Sequence, residues 1–293
     1  MAKTGVIGAG SWGTALALVL HNNGHEVTLW SHSAASVESL LKNRELKDKL
    51  PGVKIPEAIQ ITNDLQQAVK NMDMLVLAVP SACIRSTAHN MAPCVADGQL
   101  IVCVSKGIEE STLKIMTEVI EDEIPNCRAA VLSGPSHAEE VSRGLPTTVV
   151  AGAHDRETAE YIQNLFMNQV FRVYTSPDML GIELGGALKN VIALAAGIAD
   201  GLGYGDNTKA ALITRNRGNE PHRHRHGRTP GDLQRPVRYW RSDCNLCLGT
   251  QSEPEGRLPD GAGPHHAGGH ERGENGGRRR LFRQGSCGSC TEI

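Results

Sequence analysis

Three absences in the sequence each exclude a class of protein. The 293 residues carry a formal net charge of only −2, which argues against a nucleic-acid partner. No apolar run reaches the roughly 18 residues that a membrane span requires, because the longest candidate, residues 187–199, contains Lys189 and Asn190. The cysteines of the first half are scattered, which is typical of reduced cytosolic thiols and not of a disulfide framework; they are Cys83, Cys94, Cys103 and Cys127.

The N-terminus also lacks the pattern of a signal peptide. Met1, Ala2 and Lys3 lead directly into the first apolar run. We therefore expect a cytoplasmic protein that is not inserted into a membrane.

The last quarter of the chain lacks residue types that are common before it. No lysine follows Lys209 and no methionine follows Met179. The 78 residues after Arg215 contain 13 arginines, 14 glycines and 6 prolines, with a single isoleucine at the terminus. The composition therefore divides the chain near Arg215 into two different kinds of sequence.

A glycine-rich turn at residues 4–13, TGVIGAGSWG, joins an apolar run to a helix-like segment over residues 14–22. A strand, a glycine turn and a helix form the context in which G-x-G-x-x-G predicts dinucleotide binding. Gly8 permits the turn, Gly10 lets the backbone approach a pyrophosphate, and Gly13 lets helix and strand pack closely. The amides at the helix N-terminus then face the phosphates. A merely structural turn is the alternative interpretation.

Apolar strands alternate with helical segments up to about residue 175, which predicts an α/β fold with a doubly wound parallel sheet. Ligands of such sheets bind outside the carboxyl ends of the strands. Lys106 lies at such an end, where a cation could meet a phosphate or a carbonyl, although an exposed loop lysine is the simpler alternative. Beyond the first strand, the predicted strands span residues 26–30, 74–79, 100–105, 129–132, 147–151 and 170–174, with a helix over residues 156–168.

Two further strand ends carry polar residues. The second strand ends in Ser31, His32 and Ser33; without the carboxylate that holds the ribose of NAD in many such sites, NADP is also allowed. The segment at residues 133–140, SGPSHAEE, contains the capping-box pattern of Ser136 and Glu139. Together with its glycine, this helix start predicts an anion site.

After Asp178 the pattern predicts helix without further strands. Residues 181–200 are small and apolar apart from a few positions such as Lys189 and Asn190. A buried lysine loses solvation, which brings its pKa toward the range of a general acid or base, and Gly185 leaves open space one turn earlier. The alternative is that Lys189 lies on the solvent-facing stripe. A second helix is predicted to begin at Asp206 and Asn207.

Five segments together resemble one known family. Over residues 1–215 the chain is similar to the bacterial type of NAD(P)-dependent glycerol-3-phosphate dehydrogenase. The resemblance implies a Rossmann domain and an all-helical domain that reduce dihydroxyacetone phosphate to sn-glycerol 3-phosphate for phospholipid synthesis. The segments read GAGSWGTALA, VSKGIE, LSGPSHAEEV, GGALKN and GLGYGDNTKAALITR, and they begin at Gly8, Val104, Leu132, Gly185 and Gly201.

The resemblance also implies roles for particular residues. Lys189 would transfer the proton, and Lys106 would be a second catalytic cation. Because Ser33 stands where the family often has arginine, NADP is not favoured over NAD. No metal is implied, and the oligomeric state stays open, with a homodimer as one option. The implied contacts to NAD or NADP are Gly8, Gly10, Ser11, Trp12, Gly13, His32, Lys106 and Ala138; the implied contacts to substrate are Lys106, Gly134, Ser136, Lys189 and Asn190.

The amino acids of the tail do not contain the motifs with which the family continues. These motifs appear when the tail is back-translated and read in a shifted reading frame. A back-translation of residues 240–248, WRSDCNLCL, gives GDLIVTCA from the second nucleotide, and residues 249–257 then give SAHSRNRRA. Residues 216–225 and 275–284 give IAEMSRIG and KMVVEGVYSA. Because codon freedom does not produce four motifs in order by chance, we interpret residues 216–293 as an out-of-frame version of the family's C-terminal domain.

The predicted organisation is therefore a Rossmann domain at residues 1–175, the first helices of an incomplete helical domain at 176–215, and a tail at 216–293. The tail is rich in glycine and proline and poor in apolar residues, so we expect it to be disordered and the enzyme to be impaired. A non-catalytic dinucleotide-binding fragment and a related β-hydroxyacid dehydrogenase are the alternatives. Two C-x-x-C pairs in the tail resemble a four-cysteine zinc site, but the shifted reading frame accounts for them; they are Cys244, Cys247, Cys287 and Cys290.

Mass spectrometry of tryptic peptides from the native protein tests the frame. Trypsin cleaves after Arg215, so the next peptides distinguish the two possibilities. We expect TPGDLQRPVR from residues 229–238 if the tail is translated as written. Detection of GIAEMSR instead would mean that the cell makes the family's full C-terminal domain.

Overall fold

The computed structural model describes residues 1–135, 137–205 and 207–208, and these form alternating strands and helices. The strands are β1 (Lys3–Ile7), β2 (Glu26–Trp30), β3 (Gln60–Thr62), β4 (Met74–Leu77), β5 (Leu100–Cys103), β6 (Arg128–Ser133), β7 (Thr147–Ala153) and β8 (Phe171–Ser176). The α-helices are α1 (Ser11–Asn22), α2 (Ala34–Asn43), α3 (Leu65–Val69), α4 (Ile84–Met91), α5 (Met116–Glu123), α6 (Ala138–Ser142), α7 (Arg156–Phe166) and α8 (Met179–Gly201).

The strands form one sheet in the order β3-β2-β1-β4-β5-β6-β7-β8. The first six strands are parallel, as predicted, and their order reverses between β1 and β4. This reversal creates the crevice in which ligands of doubly wound sheets bind. The predicted doubly wound parallel sheet is confirmed, with one exception: β7 pairs antiparallel with β6, and β8 is parallel to β7.

Two apolar layers cover the sheet because alternate strand residues face opposite sides. Val6, Val76 and Val102 belong to the layer shared with α1 and α7. Leu75 and Ile101 belong to the opposite layer, which packs against α4 and α5. Burial on both faces explains why these strands read as continuous apolar runs in the sequence.

The turn after β1 has no room for side chains at two of its glycines. Gly8 has φ +125°, and a Cβ there would lie 2.5 Å from the carbonyl oxygen of Ala78. A Cβ on Gly13 would lie 1.9 Å from the carbonyl oxygen of Gly8. The first turn of α1 is therefore pressed against the end of β1, as the sequence predicted for Gly13.

Helix starts follow from local capping in several cases. The side chains of Asp64, Asp155 and Asp178 accept backbone N–H groups in the first turns of α3, α7 and α8. The predicted capping box is corrected, since α6 has His137 as its N-cap, without a side-chain hydrogen bond. Ser136 lies outside the described residues, and so do Asp206 and the whole tail, so the expectations for the tail stay predictions.

Helix α8 combines a packed first half with an exposed apolar second half. Met179 and Ile182 pack against Val131 of β6 and Val150 of β7. Within the described part of the chain, α8 alone is long and apolar enough to cross a membrane, with a mean hydropathy of 1.4. Length and composition alone give this result, and 28% of the apolar stretch is buried. In the second half, Val191, Leu194 and Ile198 are exposed, as is Leu202 just after the helix, whereas Ala196 and Ala199 are buried.

Substitution of Gly13 tests the constraint at the turn. In the Gly13→Ala variant the new methyl group meets backbone, so we expect the free energy of unfolding to fall by about 3 kcal/mol or more. Gly10→Ala is the matched control, because a Cβ there meets nothing within 4 Å. Urea unfolding followed by circular dichroism measures both. Equal stability of the two variants would contradict the close packing.

Candidate functional site

The carboxyl ends of β1, β2 and β4–β6 carry most of the residues that the sequence singled out. Gly10 lies in the open part of the turn after β1: its φ is −78°, and a Cβ would meet nothing within 4 Å. The first amides of α1, beginning at Ser11, have no partner within the helix. An open backbone position in front of a 12-residue helix fits the pyrophosphate of a dinucleotide.

Trp12 and Lys106 lie together beside this turn. The Lys106 Nζ atom is 5.9 Å from the centroid of the Trp12 ring, which is within the range of a cation–π interaction. Both side chains are half-buried. The next residue, Gly107, has φ +155°, and a Cβ there would lie 2.7 Å from Cβ of Ser81. The loop after β5 therefore follows the loop after β4 closely, with Lys106 directed toward α1.

Ser33, just after the end of β2, has a structural role at the start of α2. Its hydroxyl oxygen accepts the backbone N–H of Ser36 at 3.2 Å and so forms the N-cap of α2. His32, immediately before it, is exposed, whereas Ser31 is buried. The predicted cofactor residue His32 is thus accessible at the same sheet edge as the glycine turn.

The end of β6 is tightly packed. A Cβ on Gly134 would lie 2.8 Å from the carbonyl oxygen of Thr148, so the approach of β7 itself requires glycine there. Ala138, at the start of α6, belongs to the core layer that contains α1. Both predicted site residues therefore have packing roles, and their roles toward ligands stay predictions.

Helix α8 reaches this edge of the sheet through Gly186. A Cβ on Gly186 would lie 3.1 Å from the Ser133 hydroxyl oxygen and 3.5 Å from Cγ of Lys106. Gly185 is the glycine that the sequence pattern indicated; the approach of Gly186 to the sheet becomes evident only once α8 is placed on it. One turn further along, Lys189 is half-buried and Asn190 is exposed. The expected proton-transfer role of Lys189 stays a prediction.

Glu183, which no sequence pattern indicated, is a buried carboxyl group on α8 with 4% of its surface exposed. It accepts hydrogen bonds from the Thr117 backbone N–H at 3.1 Å and from the Thr117 hydroxyl, at the first turn of α5. Burial raises the pKa of Glu183 to about 7, despite the opposing effect of these hydrogen bonds. Burial likewise raises the pKa of the Cys103 thiol. The two hydrogen bonds of Glu183 therefore connect α8 to the first turn of α5.

Within residues 1–135, 137–205 and 207–208, no group of three His, Cys, Asp or Glu side chains could hold a metal ion. Among the same residues, Cys83, Cys94, Cys103 and Cys127 are free thiols. The cysteine pairs of the tail lie outside the described residues. The described site thus offers lysine, serine, histidine and backbone amides, a set suited to anions and proton transfer.

The strand order and the glycine turn define a Rossmann-type dinucleotide-binding fold. Family models for the N-terminus and the C-terminus of NAD-dependent glycerol-3-phosphate dehydrogenase match residues 3–159 and 178–219. The chain belongs to this family of glycerol-3-phosphate dehydrogenases.

Individual relatives agree with the family match. The chain is 66% identical over 215 residues to a glycerol-3-phosphate dehydrogenase [NAD(P)+] of Agathobacter rectalis, a match that covers 73% of this chain and 64% of the relative. A relative of the same name from Fusobacterium nucleatum is 60% identical over 217 residues, 73% of this chain and 65% of that protein. The crystal structure of glycerol-3-phosphate dehydrogenase from Coxiella burnetii has a TM-score of 0.70 and 36% identity, over 73% of this chain and 66% of that one.

The chain thus spans just under two thirds of the length of the curated relatives that it matches. The C-terminal family model stops matching at residue 219, close to the composition break at Arg215.

The buried Glu183 predicts a pH dependence of stability. Its pKa of about 7 exceeds the ordinary value of 4.5, so its contribution is fully present below about pH 4.5 and is lost as the pH rises through 7. We expect Glu183→Gln, which stays neutral, to remove on the order of 3 kcal/mol of this loss between pH 5 and pH 8. Urea unfolding at both pH values measures it.

Glu110→Gln is the matched control, since Glu110 is exposed. This variant should keep the pH dependence of the parent chain. The assignment to Glu183 is wrong if Glu183→Gln also keeps it.

Proposed function

We propose that this chain binds NADH or NADPH at the glycine turn, and that the reaction of its site is the reduction of dihydroxyacetone phosphate to sn-glycerol 3-phosphate. The observation that carries the proposal is a convergence at one sheet edge. The open backbone at Gly10, the cation of Lys106 near Trp12, and the contact of Gly186 with Ser133 all lie there. These features support a pyrophosphate site and a catalytic helix side by side at this edge.

The proposed cofactor site uses backbone at the pyrophosphate and side chains around it. Gly8, Gly10 and Gly13 shape the turn, and the amides of Ser11 and Trp12 face the phosphates at the positive end of α1. The further residues assigned to the cofactor are His32, Lys106 and Ala138. The hydroxyl of Ser33 is used in capping α2, and the segment at residues 31–33 offers no carboxylate that would hold the ribose of NAD, so both NADH and NADPH are proposed.

The proposed substrate site lies between the end of β6 and α8. The Lys106 ammonium and the Gly134 backbone would bind the phosphate and hydroxyl groups of the substrate, with Asn190 as a further hydrogen-bond partner. Ser136 is assigned to the same site from the resemblance alone. The close approach of the α8 backbone at Gly186 to Ser133 and Lys106, where an added Cβ would lie 3.1 Å and 3.5 Å from their side chains, supports this assignment. It brings the turn that carries Lys189 next to the loop of Lys106.

In the proposed reaction, side chains of this protein transfer a proton and stabilise negative charge. The reduced nicotinamide, when bound, supplies a hydride to the ketone carbon. The Lys189 ammonium donates a proton to the oxygen that becomes the alcohol, and in the reverse direction its neutral amine accepts that proton. Lys106 offsets the negative charge that develops on this oxygen and on the phosphate.

We further propose that the chain as written retains cofactor binding and loses most turnover. Every residue assigned to the cofactor precedes residue 139, whereas the family's C-terminal motifs appear in the tail only in a shifted frame. The chain as written is therefore expected to be a cytoplasmic dinucleotide-binding protein, descended from an enzyme of phospholipid synthesis. Its substrates are small molecules, without nucleic acid or membrane as partners.

Titration of the full chain with NADPH, followed by tryptophan fluorescence, tests the proposal. We expect saturable quenching with the parent chain and a Kd at least about tenfold higher for Gly10→Ala, whose methyl group blocks the approach of the pyrophosphate. Oxidation of NADPH with dihydroxyacetone phosphate is then followed at 340 nm.

A chain restored to the family's frame after Arg215 is the matched control for turnover. We expect the restored chain to turn over and the chain as written to be more than about tenfold slower, because its catalytic helix lacks the family's remaining domain. Absence of NADPH quenching in both chains would overturn the proposed function. Turnover of the written chain within tenfold of the restored one would overturn the proposed impairment.

A further inference from the structure

A cluster of charges on α4, on α5 and on the loop between β5 and α5 lies outside the residues assigned above. Arg85 of α4 is at its centre, with about a third of its side chain exposed. Its guanidinium donates to both carboxylate oxygens of Glu109, from Nε at 2.8 Å and from Nη2 at 2.7 Å. It also donates to Glu123 at 2.6 Å and to Asp122 at 3.2 Å. One arginine thus joins the loop to two helices.

The bidentate pair is well built for holding a loop in place. Two parallel N–H···O bonds fix orientation as well as distance, and Glu109 is only 19% exposed. The Arg85 guanidinium, together with the Thr112 hydroxyl, lowers the pKa of Glu109 to about 2. The carboxylate therefore stays ionised throughout the range in which the protein would work.

Glu109 belongs to a short loop that starts at Lys106. The backbone N–H of Glu109 donates to the Lys114 carbonyl at 2.9 Å, and Ile108 forms a bridge with Ile115. These bonds make residues 108–115 a compact unit that Arg85 clamps. Only Gly107, in a conformation that few other residues adopt, separates this unit from Lys106. The direction of Lys106 therefore depends on where the unit is held.

We propose that Arg85 is a positioning residue that holds Lys106 over Trp12 through its bidentate pair with Glu109. The inference rests on the proposed function for the role of Lys106 toward the cofactor. It predicts that the position of Lys106 responds to Arg85 even though Arg85 does not itself touch the ligand. A purely structural clip between α4 and α5 would instead change stability and leave the Lys106–Trp12 contact intact.

Fluorescence of Trp12 in the full chain tests the contact directly. Trp30→Phe and Trp240→Phe leave Trp12 as the single tryptophan, since the chain has three, and Lys106→Met gives the emission without the cation. In this background we expect Arg85→Met to move the Trp12 emission toward the Lys106→Met spectrum, and Arg85→Lys to lie between. The NADPH Kd of Arg85→Met should rise about tenfold.

Arg156→Met is the matched control, because it breaks an exposed ion pair with Glu160 at 2.6 Å on α7. We expect it to leave both readouts unchanged. Glu109→Gln, which weakens the same clamp from the other side, replaces Arg85→Met if circular dichroism shows that the latter is unfolded. A folded clamp variant with the parental Trp12 emission overturns the proposal, and so does a Lys106→Met spectrum identical to that of the parent.

The two proposals fail in different ways. If neither the parent chain nor the restored chain shows saturable NADPH quenching, the proposed function is wrong, but the ligand-free Trp12 emission still decides whether Arg85 positions Lys106. If NADPH binds and the emission of Arg85→Met stays parental, only the positioning role is wrong.

Discussion

The lack of room at residue 13 is the constraint on which the rest of the site depends. Because a side chain there would run into the Gly8 carbonyl, the first turn of α1 lies directly against the end of β1. This contact points the helix amides across the crevice and places Trp12 where Lys106 can lie near its ring. The same turn leaves Gly10 open. Close packing at one glycine and open space at another thus give the turn its shape together.

Local patterns in the sequence were sufficient for most of the fold. The strands are buried on both faces and bounded by turn residues, so β2 was predicted with the bounds that it has, and β4 and β5 with ends two residues too long. The direction of β7 was not predictable, since a strand has the same apolar pattern in either direction. The cap of α6 was misassigned because Ser136 matches the capping pattern while the chain becomes helical one residue later than that pattern requires.

Candidate site residues could be predicted from the sequence where they belong to local motifs, and not where they depend on long-range contacts. Lys106 follows a strand and Gly10 belongs to a turn, so both could be found in the sequence. Glu183 meets Thr117 across 66 residues, and Arg85 meets Glu109 across 24. Each of these four residues looks like an ordinary helix or loop residue until the elements are assembled, because no local spacing records the pairing. These contacts nonetheless fix the helix and the loop that carry the two lysines.

The antiparallel strand β7 sets the direction in which α8 runs. Since β7 and β8 run opposite to the first six strands, the chain leaves β8 at the edge remote from the glycine turn. Helix α8 starts with Met179 above Gly152, the residue of β7 that pairs with Val131 in the middle of β6. Further along the helix, Gly186 lies beside Ser133 at the carboxyl end of β6. The helix therefore travels toward the crevice and carries Lys189 with it. If all eight strands were parallel, the same helix would start at the crevice and run away from it, and Lys189 would lie near the opposite ends of the strands.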